Sequence, residues 1–151
     1  MKKLMEQIMK FGVVGVVCFL IDFAITMIVS TLLRNYAGME TGTAALIAAF
    51  FGFTISVIIN YILSMKFVFE RKEDMDRKKE FIIFTILSLI GLGIHEVIIL
   101  VCIDLIYGNW TWLNQLLSPT LATAGGKIFA TGIVMIYNFI TRKIFLEKKE
   151  D

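Results

Sequence analysis

Ionisable and amide side chains lie inside long apolar stretches of this sequence, and they are its main candidates for chemistry. They are Asp22, Asn60, His95, Glu96, Asp104, Lys127 and Asn138. A charged side chain at the centre of a bilayer costs about 2.5–3.5 kcal/mol on insertion scales, so each needs a partner, a cavity or a function. No metal-ligand spacing, phosphate-binding Gly-Lys-Ser/Thr loop or nucleophile elbow accompanies them. The pattern therefore favours binding over catalysis, and we expect no enzyme activity, cofactor or metal.

Each of these residues has a structural alternative. Lys127 either meets a buried partner or ligand, or extends its four-carbon stem to the lipid head groups. Asp22 either contacts a ligand or makes a hydrogen bond between helices. Glu96 has no comparable route to the interface, which favours a paired or functional role. Asn60 and Asn138 are first of all interhelical hydrogen-bond partners, each worth about 0.6 kcal/mol on average.

Four apolar stretches carry these residues. The chain of 151 residues is 58% hydrophobic and has one proline, and a helix of about 20 residues crosses the roughly 30 Å of bilayer hydrocarbon. An open sheet cannot satisfy its backbone groups in lipid, so the stretches are predicted to be helices. The expected fold class is an all-α integral membrane protein, one domain over residues 1–151. It is predicted to be a four-transmembrane-helix bundle with spans over residues 8–33, 43–65, 81–106 and 121–141.

The distribution of basic residues predicts which side each end of the chain faces. Of the 15 Lys and Arg, all except Arg34 and Lys127 lie before the first span or in its first turn, in the loop of residues 66–80, or after the last span. The positive-inside rule makes that side cytoplasmic, so both termini are predicted to be inside. Pro119 is predicted to begin the fourth helix, with Ser118 as its cap.

A motif recurs in the two halves of the chain. The second span ends in Asn-Tyr-Ile at residues 60–62, and the fourth ends in Asn-Phe-Ile at residues 138–140. The first and third spans align more weakly when Phe11 is set on Phe84. Two helical hairpins of the same sidedness predict a pseudo-two-fold axis along the membrane normal.

Three of the predicted helices carry polar or small residues on one face. These stripes are Phe11, Gly15 and Asp22 on the first helix, Gly52, Ser56 and Asn60 on the second, and Lys127, Thr131, Val134 and Asn138 on the fourth. A bundle that turns the stripes inward would have a polar seam between two apolar hairpins. Cys18 and Cys102 also fall within spans and are predicted to stay unpaired.

Over nearly its whole length the chain resembles the GtrA-like family of small four-span membrane proteins. The motifs that carry the resemblance are Phe11 with Val14-Gly15, Asp22-Phe23, residues 60–63 running to 66–69, Lys127-Ile128, and residues 138–140 running to Arg142-Lys143. The chain departs from the family pattern at residues 66–69, which read Lys-Phe-Val-Phe where Arg-Trp-Val-Phe is expected.

The resemblance implies translocation of a polyprenyl-phosphate-linked monosaccharide, typically undecaprenyl-phosphate glucose, across the cytoplasmic membrane. At the outer leaflet, the sugar would serve glycosylation of teichoic acid, O-antigen or another surface polysaccharide. Charge-assisted contacts to phosphate suit Lys and Arg. The residues expected to bind the head group are Lys66, Arg142 and Lys143 at the inner face, Asn60 and Asn138 on entry, Asp22 and Glu96 beside the sugar or Lys127, and Lys127 towards the outer face.

Two other functions stay open at this point. A small proton-coupled multidrug exporter would use Asp22 or Glu96 to exchange a proton for a cation, although basic residues at the inner surface suit anions better. A non-transporting scaffold would recruit a membrane glycosyltransferase through the middle loop. A homo-oligomer is compatible with so thin a bundle, whereas nucleic-acid binding is not expected, because the basic residues flank the spans and are mixed with acids.

Overall fold

A computed structural model describes residues 2–148 of the chain. Within that range, four helices are long and apolar enough to cross a membrane, which confirms the predicted all-helical architecture. The long helices are α1 (Lys2–Ala37), α2 (Thr41–Phe67), α3 (Arg77–Leu100) and α5 (Pro119–Leu146), and a short helix, α4, spans Thr111–Leu116. At about 1.5 Å per residue, the 36 residues of α1 exceed the hydrocarbon thickness, so its polar ends project beyond the apolar layer.

The first compact unit contains the α1–α2 hairpin. It runs to Met75 and also includes the segment that begins at Glu147. Gly38, which follows α1, adopts φ 62°, a left-handed conformation that glycine accepts without steric cost and that allows the tight turn into α2. Cys18, buried on α1, and Cys102, half-buried in the other unit, form no disulfide, so the prediction that they are not a disulfide pair is confirmed.

The second compact unit, Asp76–Leu146, contains the α3–α5 hairpin. A π-helical segment, Val101–Tyr107, continues α3 to the end of the predicted third span. The sequence did not predict α4, which lies in the connection that follows. The predicted start of the last helix is correct, because α5 begins at Pro119 and the Ser118 hydroxyl accepts a hydrogen bond from the Leu121 N–H at 3.3 Å.

The buried positions of the two hairpins confirm the repeat. Each buried residue of α1 has a buried counterpart on α3 at the same spacing in the sequence, the spacing that separates Phe11 from Phe84. The pairs are Gln7 and Glu80, Phe11 and Phe84, Val14 and Leu87, and Cys18 and Gly91. On α2, its C-cap Val68 and α5, most buried positions pair at the interval that separates Asn60 from Asn138. The pairs are Ala44 and Ala122, Ala48 and Gly126, Gly52 and Ala130, Ser64 and Arg142, and Val68 and Leu146. Small residues one turn apart let each helix pair approach closely.

Candidate functional site

A buried arginine lies at the end of the α3–α5 hairpin that is predicted to face the cytoplasm, which we call its inner end. Arg142, on the last turns of α5, is only 2% exposed. Its guanidinium carbon lies 3.8 Å from the centroid of the Phe84 ring, and its Nη2 donates a hydrogen bond of 2.9 Å to the Ser88 hydroxyl. That hydroxyl in turn donates to the Phe84 carbonyl oxygen. An aromatic face and a hydroxyl therefore hold a delocalised cation away from water, where its interaction with an anion is strongest.

An amide lies one turn from the arginine on the same face of α5. Asn138 packs against α3 at Gly91, where a Cβ atom would lie only 3.1 Å from the Asn138 Oδ1 atom. Within the described part of the chain this buried oxygen accepts no hydrogen bond. A buried acceptor without a donor is costly, by about 1–3 kcal/mol, so the atom is a place where a hydroxyl donor would be stabilising.

A buried carboxylate lies in the first turn of α3. Glu80, 1% exposed, precedes Phe84 by one turn on the same face. The N-terminal turn of a helix favours negative charge through its dipole and its free N–H groups. The inner end of this hairpin therefore buries both an acid, Glu80, one turn before Phe84, and a base, Arg142, at the Phe84 ring.

The first hairpin has a neutral counterpart of this cluster. Where the second hairpin has Glu80 and Arg142, the repeat places Gln7 and Ser64. The Ser64 hydroxyl donates to the Asn60 Oδ1 atom at 2.9 Å. The two amides of the repeated motif therefore differ. The Asn60 oxygen accepts a hydrogen bond from Ser64, one turn later. The equivalent residue after Asn138 is Arg142, which bonds to Ser88 on α3 instead.

An amide bridge closes the inner end of the first hairpin. The Gln7 Nε2 atom donates to the Val68 carbonyl oxygen at 3.1 Å and to the Glu147 carboxylate. Glu147 also pairs with Arg71 as an isolated antiparallel bridge. Gln7 and Glu80 were not singled out by the sequence reasoning, although the Phe11–Phe84 alignment, extended by one turn, brings them into register.

The polar stripe predicted on α2 faces α1 within the same hairpin. The Ser56 hydroxyl donates to the Cys18 carbonyl oxygen at 3.1 Å. A Cβ atom on Gly52 would lie 2.9 Å from the Asp22 carbonyl oxygen and would also meet the Asp22 carboxylate. The stripe is therefore used for close helix contact inside one hairpin, and Asp22 lies in that contact.

Two predicted residues of the outer half are exposed. Lys127 is exposed on α5 and forms no ion pair with any described residue. The Glu96 side chain is 64% exposed, and its nearest polar partner is the neighbouring His95, at 3.4 Å. The structure does not bring Lys127 and Glu96 together as an ion pair. The predicted stripe on α5 is divided, since Val134 and Asn138 pack on α3 while Lys127 and Thr131 are exposed.

The basic residues predicted to collect a phosphate differ in exposure. Lys66 is exposed, with its ammonium 5.3 Å from the centroid of the adjacent Phe67 ring. Lys143 is half-buried, and Arg142 is buried. Among the described residues no group of three His, Cys, Asp or Glu side chains could hold a metal ion.

Four apolar spans in two repeated hairpins define a polytopic membrane protein. The family model described as GtrA/DPMS, transmembrane domain, matches residues 10–146. The chain therefore belongs to the GtrA/DPMS transmembrane-domain family, and the resemblance found in its motifs is confirmed. The family indicates a membrane function related to polyprenyl-phosphate sugars. Comparisons with curated proteins and with solved structures give no match.

Proposed function

We propose that this protein translocates a polyprenyl-phosphate-linked monosaccharide across the cytoplasmic membrane. The observation that carries the proposal is the buried cluster of Arg142, Phe84, Ser88 and Asn138 in a hairpin of apolar helices. A sugar phosphate cannot cross hydrocarbon unaided, whereas its isoprenoid tail can stay in lipid. The protein then needs only a few charge-assisted and hydroxyl contacts for the head group.

The chemistry of the cluster matches the two parts of such a head group. The guanidinium of Arg142 suits a phosphate, because its fork of donors binds two oxygens at once. The free oxygen of Asn138 suits a sugar hydroxyl, because a donor is what it lacks. In this scheme the phosphate exchanges with the Ser88 hydroxyl as the partner of Arg142. No covalent bond is made or broken, so we propose a transporter and not an enzyme.

Basic residues outside the cluster have accessory roles in the proposal. Lys66, which is exposed, and Lys143, which is half-buried, gather the anionic head group at the inner surface. Lys127, exposed on the outer half of α5, receives the phosphate there, with Glu96 available to sugar hydroxyls. Undecaprenyl-phosphate glucose or a similar lipid is the proposed substrate, and glycosylation of teichoic acid or another surface polysaccharide is its proposed use.

The test is translocation in proteoliposomes that contain a labelled polyprenyl-phosphate hexose. Periodate, which does not enter the vesicles, oxidises only sugars exposed on the outer leaflet, so loss of the protected inner pool measures transfer. We expect Arg142→Lys and Asn138→Ala each to slow transfer about tenfold, equivalent to about 1.4 kcal/mol. Thr141→Ala is the matched control on α5, because the Thr141 hydroxyl bonds only within its own helix, to Tyr137 at 2.7 Å and to Asn138 at 3.4 Å.

The same vesicles separate the other functions. A scaffold for a glycosyltransferase would leave the inner pool protected with the wild-type protein. A drug exporter would transport a cation in exchange for protons and depend on Asp22 or Glu96. Either result would overturn the proposal. Transfer that Arg142→Lys leaves at the wild-type rate would remove the buried cluster from the mechanism.

A further inference from the structure

A long apolar groove runs along the surface of the first hairpin between α1 and α2. Its volume is about 890 Å³. The apolar residues that line it include Met5, Met9, Val13 and Val17 on α1 and Leu63 and Phe67 on α2. None of the head-group residues predicted from the sequence lines it. The groove is therefore a feature separate from the buried cluster, formed entirely by residues of one hairpin.

Basic side chains surround the inner end of the groove. Lys2 and Lys10 line it directly, and Lys66 lies over the ring of Phe67 in its wall. Among the described residues, Glu6 is the one acid in the lining, and it is paired with Lys10 at 2.6 Å. Three ammonium groups against one carboxylate leave a positive excess at this end. The groove thus joins an apolar trough to a site of positive potential, which is complementary to a lipid with an anionic head.

We infer that this groove binds the phosphate and first isoprenoid units of the polyprenyl-phosphate carrier. The inference rests on the proposed function for the class of lipid. A polyprenyl phosphate has an apolar isoprenoid chain and an anionic phosphate, which match the apolar lining of the groove and the lysines beside it. Methionine and valine side chains give the walls a soft, adaptable surface suited to a methyl-branched chain. The lysines hold the phosphate at the inner surface.

The binding experiment uses tritiated polyprenyl phosphate, which has no sugar, and the purified full-length protein in detergent micelles. Val13→Trp fills the groove at a side chain that is 65% exposed, and Val16→Trp adds the same bulk at a side chain that is 57% exposed but lies outside the lining. We expect Val13→Trp to raise the Kd at least tenfold and Val16→Trp to change it less than twofold. Unaltered binding by Val13→Trp would overturn the inference.

Charge variants and a competing lipid give a second test of the groove. Lys2→Gln should raise the Kd severalfold, and Glu6→Gln should lower it, because removing the only acid of the groove increases the positive potential. Phosphatidylglycerol should displace the probe only in large excess. Displacement at equal concentration, or a Kd that neither charge variant changes, would show a non-specific anionic-lipid surface and overturn the inference.

Combining this experiment with the vesicle assay separates the inference from the proposed function. Sugar-lipid transfer that proceeds with wild-type binding in Val13→Trp would overturn the groove and leave the proposed function standing. Polyprenyl-phosphate binding that depends on Val13 in a protein that transfers no sugar lipid would support the groove and overturn the proposed function.

Discussion

The closest approach of α1 to α2 provides the sharpest test of the packing. Gly52 faces Asp22 and Thr26, and a Cβ atom added to it would lie 2.9 Å from the Asp22 carbonyl oxygen and within the contact distance of both side chains. A backbone oxygen cannot move aside as a flexible side chain can, so Gly52→Ala must separate the two helices by several tenths of an ångström. The first hairpin should become less stable.

The size of the effect follows from two opposing contributions. Overpacking a well-packed contact costs about 1–3 kcal/mol. Alanine is the better helix former by about 0.5–1 kcal/mol. We therefore expect the free energy of opening the hairpin to fall by about 1–2 kcal/mol, which multiplies the open population by about 5–30.

Cys18 reports this opening directly. It is a buried thiol on α1, and its carbonyl oxygen accepts the Ser56 hydrogen bond across the hairpin. In a Cys102→Ala background, the rate of Cys18 alkylation by a small reagent in detergent follows the open population. Gly52→Ala should raise that rate about 5–30-fold.

Gly15→Ala is the matched control. A Cβ atom there would have nothing within 4 Å outside its own helix backbone, so this variant gains helix propensity without a clash, and Cys18 should react no faster than in the wild type. If Gly52→Ala and Gly15→Ala give the same alkylation rate, the close contact between α1 and α2 does not limit stability and the packing argument is wrong.

Three further predictions concern the second hairpin and the topology. Gly91→Ala should reduce sugar-lipid transfer several-fold in the periodate assay, because the new Cβ atom would lie 3.1 Å from the Asn138 amide and displace it. Gly93→Ala, whose Cβ atom would have nothing within 4 Å, should transfer at the wild-type rate. Ser88→Ala removes a hydrogen bond to a buried cation and should lower stability by about 1.5–3 kcal/mol, measured by thermal unfolding in detergent. The control, Thr85→Ala, loses only an intrahelical hydrogen bond. An equal loss of stability in both variants would contradict the role given to Ser88. Epitope tags at the two termini should both be reached by antibody only after the cytoplasmic face of the membrane is opened, and a tag reached from outside would refute the predicted sidedness.

The elements and the repeat could be predicted because their physical causes are local. A run of about 20 apolar residues must form a helix in lipid, since no other conformation satisfies its backbone there. Both halves of the chain meet this requirement, and the matching Asn-aromatic-Ile motifs at residues 60–62 and 138–140 predict the repeat from the sequence alone. The short helix α4 was missed, because six residues at a membrane surface carry no comparable periodic signal.

The candidate site could be predicted only in part. The sequence predicted that Asn138 and Arg142 bind the head group, which stays a prediction, and it treated Asn60 as equivalent to Asn138. Their difference arises one turn later, where Ser64 engages the first amide and Arg142 reaches across to Ser88. For Lys127 the sequence left open a buried partner or ligand and an extension of the side chain to the lipid head groups; in the described structure it is exposed and makes no ion pair with a described residue.

The amino-acid sequence by itself determined the number of spans, the two-hairpin repeat and the set of polar residues that the membrane must accommodate. Only the tertiary structure decided which of those residues are buried together, which are exposed, and where the apolar groove lies. The physical reason is that hydropathy and charge act along the chain, whereas a hydrogen bond from α5 to α3, or a trough between α1 and α2, depends on the rotation and register of one helix against another. Those are set by contacts between small residues far apart in sequence.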